Sequence, residues 1–192
     1  MNNLKDLILR NRSYRRFDES HAVSRDDLLE MIDAARCSAS ARNAQPLKYA
    51  LSFTGKMNAK IFPCLAWAGY LTEWPGPAEG ERPSAYIVQL HDTTLATNYF
   101  CDDGIAAQSI LLTAVEKGLG GCIIGSVQKE TLSQILDIPP HLRIIQVIAL
   151  GKPIEQVVLE PVKDGDIKYW RDEQGVHHVP KRPLEKLVIN IP

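Results

Sequence analysis

Apolar positions along this chain recur at two spacings, one typical of amphipathic helices and one typical of short buried strands. The clearest helix pattern covers residues 24–37, where Ser24 is a suitable N-cap and Asp27 completes a capping box. Four other helices are predicted, over residues 4–11, 57–71, 96–117 and 128–136. The longest of them ends at the glycine-rich run that begins at Gly118, and its Ile105 and Ile110 are expected in the core.

Strands are predicted where apolar residues alternate with polar ones, or run together, between turn signals. They cover residues 48–53, 85–90, 122–124, 144–150 and 187–191. The stretch Trp74–Pro83 is crowded with Pro and Gly, so it is predicted to be a loop, placed to act as a lid over a pocket. Since the core signal after Ile154 is sparse, the last strand is expected to pair outside its own sheet. We expect one α+β domain over residues 1–192, with more helices than strands.

Charge and cysteine content exclude several classes of protein. The chain has 22 basic and 23 acidic residues and a formal net charge of -1, so no overall positive field attracts nucleic acid or an anionic membrane. The four cysteines form no C-x-x-C pair and are expected to be reduced, buried thiols. They are Cys37, Cys64, Cys101 and Cys122. The segment Met1–Leu9 resembles neither a signal peptide nor a membrane span, so we expect a cytoplasmic protein without a membrane partner.

Two polar islands near the N-terminus carry candidate chemistry. The first island, Arg12–Phe17, combines guanidinium groups with the Ser13 hydroxyl, a composition that suits a clamp for a phosphate group. The second island, Ser38–Pro46, follows the helix over 24–37 and supplies hydroxyl and amide groups. A third basic spot, Lys181–Arg182, completes an anion site if the tail folds back. Each feature has a plainer interpretation, as a solvated loop, a set of turn residues or a solvated pair.

Several familiar sites are missing from the sequence. The run Gly118–Ile123 lacks the third glycine of G-x-G-x-x-G and follows a predicted helix instead of a strand, so it is not a Rossmann turn. No P-loop or G-x-S-x-G motif occurs, and the histidines lack the spacing of a zinc site. We therefore expect neither a metal site nor a catalytic nucleophile.

Five motifs, taken in order, resemble the nitroreductase family of FMN-dependent oxidoreductases. They are Arg-Ser-x-Arg-x-Phe at 12–17, Ser-x-x-Asn-x-Gln-Pro at 40–46, Gly-Leu-Gly-Gly-Cys-Ile-Ile-Gly at 118–125, Ala-Leu-Gly-Lys-Pro at 149–153 and Lys-Arg-Pro-Leu at 181–184. The chain departs from the family's pattern at Asn11 and Leu47, where many members have Arg and Trp. The resemblance covers nearly the whole chain.

The resemblance implies an α+β fold in which helices surround a central antiparallel sheet. It also implies a homodimer with FMN at each of two interface sites, in which the C-terminal strand of one subunit joins the sheet of the other. By position, Arg12 and Ser13 match contacts to the phosphate and ribityl chain, and Arg15 matches a basic residue near the pyrimidine edge of the flavin.

The remaining motifs imply the other cofactor contacts. Ser40 and Asn43 match polar contacts to the ring and ribityl chain, and Gln45 of the same motif is counted among the cofactor-binding residues. Two further sets match the segment whose backbone amide faces flavin N5 and the C-terminal phosphate contacts. They are Ile124 with Gly125, and Lys181 with Arg182, respectively.

In such a protein the flavin carries the redox chemistry, so no catalytic side chain is required. NADH or NADPH is the implied electron donor, and a small acceptor such as a nitroaromatic or a quinone takes the hydride by a ping-pong sequence. Two alternatives stay open: a flavoprotein of the same fold that performs oxidation or dehalogenation, and a non-enzymatic binder of a phosphate-bearing ligand. The sequence does not choose between NADH and NADPH, and it does not identify the physiological acceptor.

Overall fold

The computed structural model describes residues 3–189 and 191, and these contain five α-helices and eight β-strands. The helices are α1 (Leu4–Arg10), α2 (Arg25–Arg36), α3 (Gly55–Ile61), α4 (Asp102–Glu116) and α5 (Lys129–Ile135). The strands are β1 (Phe17–Asp18), β2 (Leu47–Ser52), β3 (Ala85–Asp92), β4 (Gly120–Ile124), β5 (Leu142–Pro153), β6 (Val157–Pro161), β7 (Trp170–Arg171) and β8 (His177–Lys181). Within the described residues, strands therefore outnumber α-helices, and that part of the prediction is wrong.

The start of α2 confirms the capping box predicted from the sequence. The Ser24 hydroxyl oxygen accepts a hydrogen bond from the Asp27 backbone N–H at 3.1 Å, and the Asp27 carboxylate accepts one from the Ser24 backbone N–H at 3.0 Å. These two bonds satisfy N–H groups that lack a partner within the first helical turn. The buried residues of this helix are Leu28, Met31 and Ala35.

The larger sheet is antiparallel, with the order β1–β5–β3–β2 and with β4 also paired to β5. Its central strand β3 matches the apolar run predicted over 85–90, and all eight of its residues are buried. β5 is longer than predicted because Gly151–Pro153 continues the ladder instead of ending it. Phe17 of β1 pairs with Pro153, so the last residues of β5 hold the end of the first island.

Two apolar layers cover the two faces of this sheet. One packs α2 and α4 against the face to which β3 contributes Ala85 and Ile87. The other packs Ile61 of α3 and Leu132 of α5 against the face to which β3 contributes its alternate residues. The central antiparallel sheet with helices on both sides is therefore confirmed.

The prediction of a helix over 57–71 is mostly wrong. Only α3 and a short 3-10 turn at Phe62–Cys64 are helical, and the chain is irregular from Leu65 onward. Pro63 lacks the backbone N–H that would continue α3, which explains why the helix gives way at this point.

The helix predicted over 96–117 begins later, at Asp102. The Asn98 side chain accepts a hydrogen bond from the Phe100 backbone N–H at 2.6 Å, and Phe100 has a φ of 50°. This turn replaces the first predicted turns of helix. Ile105 is 36% exposed and does not join the core, whereas Ile110 is fully buried as predicted.

The chain beyond β5 forms a second, three-stranded sheet that the sequence pattern does not predict. β6 and β8 are parallel, and β7 is antiparallel to β8. The strand predicted over 187–191 is wrong for the residues that the structure describes, since 187–189 and 191 form no strand; Asn190 lies outside them. Ile189 and Ile191 are 87% and 88% exposed. Exchange of this segment with a second subunit stays a prediction.

The cysteine prediction is half right. Cys64 and Cys122 are buried, Cys37 and Cys101 are exposed, and all are free. Among the described residues, no group of His, Cys, Asp and Glu is arranged to hold a metal ion. None of the described helices combines the length and the apolar character needed to cross a membrane.

Candidate functional site

The first island lies directly against β4. After α1 ends at Arg10, Ser13 forms a parallel bridge with Gly121, and the Tyr14 backbone N–H donates to the Gly121 carbonyl oxygen at 3.0 Å. A Cβ at Gly121 would lie 2.5 Å from the Ala149 carbonyl oxygen, so only glycine fits at this position. The glycine run therefore serves to seat the first island against the sheet.

A cavity of about 290 Å³, the basic cavity, joins the first island to the tail. Its lining residues include Arg12, Ser13, Arg15, Tyr169, His177 and Lys181. Arg12 donates from Nη2 to the Ile8 carbonyl oxygen at 2.8 Å, while its Nε is buried and has no partner among the described residues. Burial lowers the pKa of the Arg12 guanidinium, which nonetheless stays charged at neutral pH. A buried, cationic donor without an acceptor favours an anionic ligand.

Arg15 is positioned mainly through its backbone. Its backbone N–H donates to the buried Glu155 carboxylate, and this carboxylate also forms an ion pair with Arg171 at 2.9 Å. The Arg15 guanidinium donates to the Ser13 carbonyl oxygen at 3.1 Å and lies 4.9 Å from the centre of the Tyr169 ring. No carboxylate of the described chain forms an ion pair with it, so its charge remains available to a ligand.

His177 is the neighbour of Arg15 that the sequence analysis does not identify. Its Nε2 lies 3.3 Å from Nη1 of Arg15, and the residue is 1% exposed. Burial, followed by the positive charges of Arg15 and Arg171, lowers the pKa of His177 to about 4. The ring is therefore neutral near pH 7, and Nε2 accepts a hydrogen bond from Arg15.

A second cavity of about 240 Å³, the strand-end cavity, begins where β4 ends. It is lined by Arg15, residues 66–69, residues 122–126 and Tyr169. Ile124 is buried at its base, and Gly125 is exposed with no heavy atom within 4 Å of the position of a Cβ. The basic and strand-end cavities share Arg15, Ile123 and Tyr169. They are therefore two ends of one groove.

The predicted lid does not line this groove. Residues 74–83 form a loop, as predicted, but the wall of the strand-end cavity is supplied by the preceding segment 66–69. Trp74 lies under Arg171, whose guanidinium carbon is 4.2 Å from the centre of its ring. The loop therefore packs against the tail and does not cover the groove.

The second island occupies another part of the chain surface. The Ser40 hydroxyl donates to the buried Asp102 carboxylate at 2.6 Å and accepts from the Gln45 backbone N–H at 2.9 Å. The Gln45 side chain donates to Asn43 Oδ1 at 3.1 Å. Asn43 and Gln45 both have positive φ values, of 54° and 49°. The polar groups of this island therefore bond largely to one another.

Within one chain, the two islands do not meet. Ser40 and Gln45 line a third cavity of about 260 Å³, which shares no lining residue with the groove. Lys181, the last residue of β8, lines the basic cavity, whereas the exposed Arg182 is not among its lining residues. Of the predicted cofactor-binding residues, the groove brings together Arg12, Ser13, Arg15, Ile124, Gly125 and Lys181.

The groove suits a phosphorylated ring compound such as FMN. Its basic end holds guanidinium and ammonium groups, which bind phosphate well. Its other end has an exposed glycine and an unfilled space beside it, so a flat ring can approach the backbone there. Because the two cavities share three lining residues, a molecule with a phosphate at one end and a ring at the other would occupy both.

Three residues that line the groove or contact Arg15 are not identified by the sequence analysis: Glu155, Tyr169 and His177. Glu155 and His177 are 140 and 162 positions away from Arg15, and only the folding of the tail brings them to it. The one signal in the sequence is an acidic residue, Glu155, just after the Gly-Lys-Pro motif. Its buried carboxylate contacts the arginines of the first island.

Comparisons with known proteins point to one family. The model of the Nitroreductase family matches residues 91–152. YodC of Bacillus subtilis strain 168, which carries a provisional NAD(P)H nitroreductase name, is 22% identical over 188 residues, covering 81% of this chain and 92% of YodC. A Vibrio harveyi protein named NADPH-flavin oxidoreductase is 26% identical over 179 residues, covering 84% of this chain and 70% of its own length.

Two solved structures share the fold. An FMN-dependent nitroreductase from Clostridium difficile R20291 superposes with a TM-score of 0.64 at 21% identity, over 77% of this chain and 87% of its own. The NADPH:FMN oxidoreductase of Vibrio harveyi, solved with NAD+, gives 0.66 at 21% identity, over 86% and 75%. The matched segment and the shared fold confirm the resemblance to the nitroreductase family that the five sequence motifs predict.

Proposed function

We propose that this protein is an FMN-dependent NAD(P)H oxidoreductase that reduces a small acceptor, such as a nitroaromatic or a quinone. The observation that carries the proposal is the groove itself, in which the Nε of Arg12, without a partner among the described residues, lies at one end and the guanidinium of Arg15 lies where the two cavities meet. At the other end, Gly125 leaves its backbone open to a flat ring. The names of the Vibrio harveyi and Clostridium difficile proteins support the same cofactor.

Binding of the phosphate is assigned to Arg12, Ser13 and Lys181. All three line the basic cavity, and the Arg12 side chain has already lost part of its hydration through burial. A phosphate bound there would give the buried Nε the acceptor it lacks, and a charge-assisted bond of this kind is stronger than one between neutral groups. Arg182, which follows Lys181 in the chain, is exposed and does not line the cavity.

The ring end of the groove is assigned to Arg15, Ile124 and Gly125. FMN bound there would supply the redox chemistry, hydride transfer between NADH or NADPH and the acceptor. The permanent positive charge of Arg15, which lines this end of the groove, would stabilise negative charge on a reduced cofactor. The neutral His177 accepts from Arg15 and so helps to hold the guanidinium in place without adding a second charge.

A homodimer is part of the proposal because one chain does not bring its two islands together. Ser40, Asn43 and Gln45 would then complete the cofactor site from the second subunit. The exposed apolar side chains of α1 and of the tail provide surface for such an interface. They include Leu4, Ile8, Leu187, Ile189 and Ile191, each at least 42% exposed.

The test begins with the visible spectrum and FMN content of the purified protein, followed by oxidation of NADH and NADPH with a nitroaromatic or quinone acceptor. We expect a yellow protein with one FMN per chain, a dimer in sedimentation, and parallel double-reciprocal plots, the signature of ping-pong kinetics. FMN bound without NAD(P)H oxidation would favour oxidation or dehalogenation chemistry instead. A colourless protein that also fails to bind added FMN would overturn the proposal.

A further inference from the structure

A fourth cavity, the Tyr86 cavity, lies where the chain enters β3. Its volume is about 190 Å³, and its lining residues include Glu19, Phe53, Phe62, Arg82, Ser84 and Tyr86. It shares no lining residue with the groove or with the cavity of the second island. The oxidoreductase proposed above therefore makes no use of it.

Three polar groups in this cavity are buried and lack partners within the described chain. They are the Tyr86 hydroxyl, the Ser84 hydroxyl and the Nε of Arg82. Tyr86 is completely buried and Ser84 is 9% exposed. Burial raises the pKa of Tyr86 far above its ordinary value, so its hydroxyl keeps its proton. Buried polar groups normally find partners, because leaving them unpaired costs free energy.

Two neighbouring polar side chains, Asn58 and Glu19, bond to other groups and form no hydrogen bond to these three. Asn58 donates from Nδ2 to the Ser84 carbonyl oxygen at 2.7 Å and accepts at Oδ1 from the Ser52 hydroxyl at 2.6 Å. Oε2 of Glu19 accepts from the backbone N–H of Gly80 at 2.6 Å and from that of Arg82 at 3.4 Å. The three unpaired donors are thus left to a ligand.

The chemistry of the cavity wall narrows the class of ligand. Three donors, one of them on a guanidinium, call for a molecule with several acceptor oxygens and negative charge. The Glu19 carboxylate in the same wall disfavours a doubly charged anion such as a phosphate monoester, because like charges repel. The Arg82 guanidinium carbon lies 4.5 Å from the centre of the Phe62 ring, and Phe53 adds a second aromatic surface.

We propose that the Tyr86 cavity is a second small-molecule site, for a monocarboxylate with a flat apolar body. Arg82, Ser84 and Tyr86 bind its carboxylate, and Phe53 and Phe62 contact its body. The size fits, because a 150 Å³ protein cavity is known to accommodate benzene, and this one is about 190 Å³. A benzoate-sized molecule therefore matches both the volume and the donors.

The test uses 4-fluorobenzoate as the probe and fluorine-19 NMR as the readout, with protein saturated in FMN. We expect saturable binding to the wild type and at least tenfold weaker binding to Arg82→Gln and to Tyr86→Phe. The matched controls Arg25→Gln and Tyr70→Phe change exposed side chains outside the cavity and should bind the probe like the wild type. Wild-type binding that both cavity variants retain, or no saturation up to about 10 mM, would overturn the proposal.

Thermal unfolding of Tyr86→Phe without the probe provides an independent check. Because the phenol hydroxyl has no partner among the described residues, its removal should leave the melting temperature unchanged or raise it. A clear decrease would mean that the hydroxyl is bonded to structural water, and the cavity would then be a hydrated gap only. Tighter binding of methyl phosphate than of 4-fluorobenzoate would overturn the ligand class.

Discussion

The two polar islands differ in how much of their polar side-chain capacity is already used within the chain. In the first island, the side chains of Arg12 and Arg15 keep charge and hydrogen-bonding capacity unused, while backbone contacts to Gly121 and Glu155 hold the chain in place. In the second island, the Ser40 hydroxyl donates to Asp102 and accepts from the Gln45 backbone N–H, and the Gln45 side chain donates to Asn43, so few polar groups remain free. This contrast indicates that unpaired charges and hydrogen-bonding groups on a side chain identify a binding residue better than its residue type does.

The largest expected effect is a loss of stability when the contact between the first island and β4 is disturbed. Gly121→Ala should destabilise the fold by about 3 kcal/mol, because the new Cβ would meet the Ala149 carbonyl oxygen at 2.5 Å. Gly125→Ala, four residues away, has no atom within 4 Å of its Cβ and should leave stability unchanged. Denaturant unfolding of both variants measures the two changes in the free energy of unfolding. Equal losses of stability would contradict the backbone-held description of the first island.

The second island should depend on one buried carboxylate. Asp102 is 3% exposed and accepts from the Ser40 hydroxyl and, at 2.9 Å, from the Ala41 backbone N–H. Asp102→Asn should cost about 2 kcal/mol of stability, because an amide cannot accept with both of its ends. Asp103→Asn is the control, since Asp103 is half-buried and its carboxylate has no such role. A neutral Asp102→Asn would show that the island is held in some other way.

A smaller effect should distinguish the islands in cofactor binding. Arg12→Ala and Arg15→Ala should each weaken FMN binding about tenfold, because each removes a charge-assisted contact. Flavin fluorescence titration measures this, with the exposed Arg25→Ala as the control. The rate of flavin reduction by NAD(P)H should also fall in Arg15→Ala. Unchanged affinity and unchanged rate in that variant would remove Arg15 from the site.

The effect that is smallest at neutral pH, because it develops only in acid, is a pH dependence at His177 beside the first island. Folding lowers the pKa of His177 from 6.5 to about 4, so between these values the unfolded chain binds more protons than the folded one. Its contribution to stability is complete above pH 6.5 and is lost as the pH falls towards 4. His177→Gln should therefore flatten the decrease in melting temperature over this range, while the exposed His21→Gln should not. Identical slopes for wild type and His177→Gln would contradict the assignment.

The adjacent His178 should respond in the opposite sense. Hydrogen bonding to Asp172, and then to Glu160, raises its pKa above 6.5, so its contribution is present below that pH and is lost as the pH rises. Comparing the two histidines by NMR titration tests both directions in one sample.

Local signals explain the parts of the fold that the sequence predicts correctly. Ser24 and Asp27 determine the start of α2 by contacts three residues apart, and the apolar run of β3 shows its burial directly. The prediction fails at 57–71, where apolar composition is compatible with helix but Pro63 interrupts it. It also fails in the tail, because β6 pairs with β8 across about 20 positions and neither strand has a strong pattern of its own.

The residues of the candidate site likewise divide into those that local motifs predict and those that depend on distant contacts. Arg12, Ser13, Arg15 and Gly125 belong to recognisable motifs and were predicted, whereas Glu155 and His177 act through contacts between distant parts of the chain. A residue whose role depends on a partner more than a hundred positions away leaves little trace in its own neighbourhood. The spacing of the two islands along the sequence likewise gives no sign that they lie apart in the folded chain.

The basic cavity has walls from two distant parts of the chain, since Arg12 and Lys181 both line it. During synthesis, the wall that contains Arg12 emerges from the ribosome long before the wall that contains Lys181. The cavity is therefore incomplete until Lys181 has emerged and folded. A ligand that needs both walls binds only after that point, and a chain that ends before Lys181 should accumulate without it.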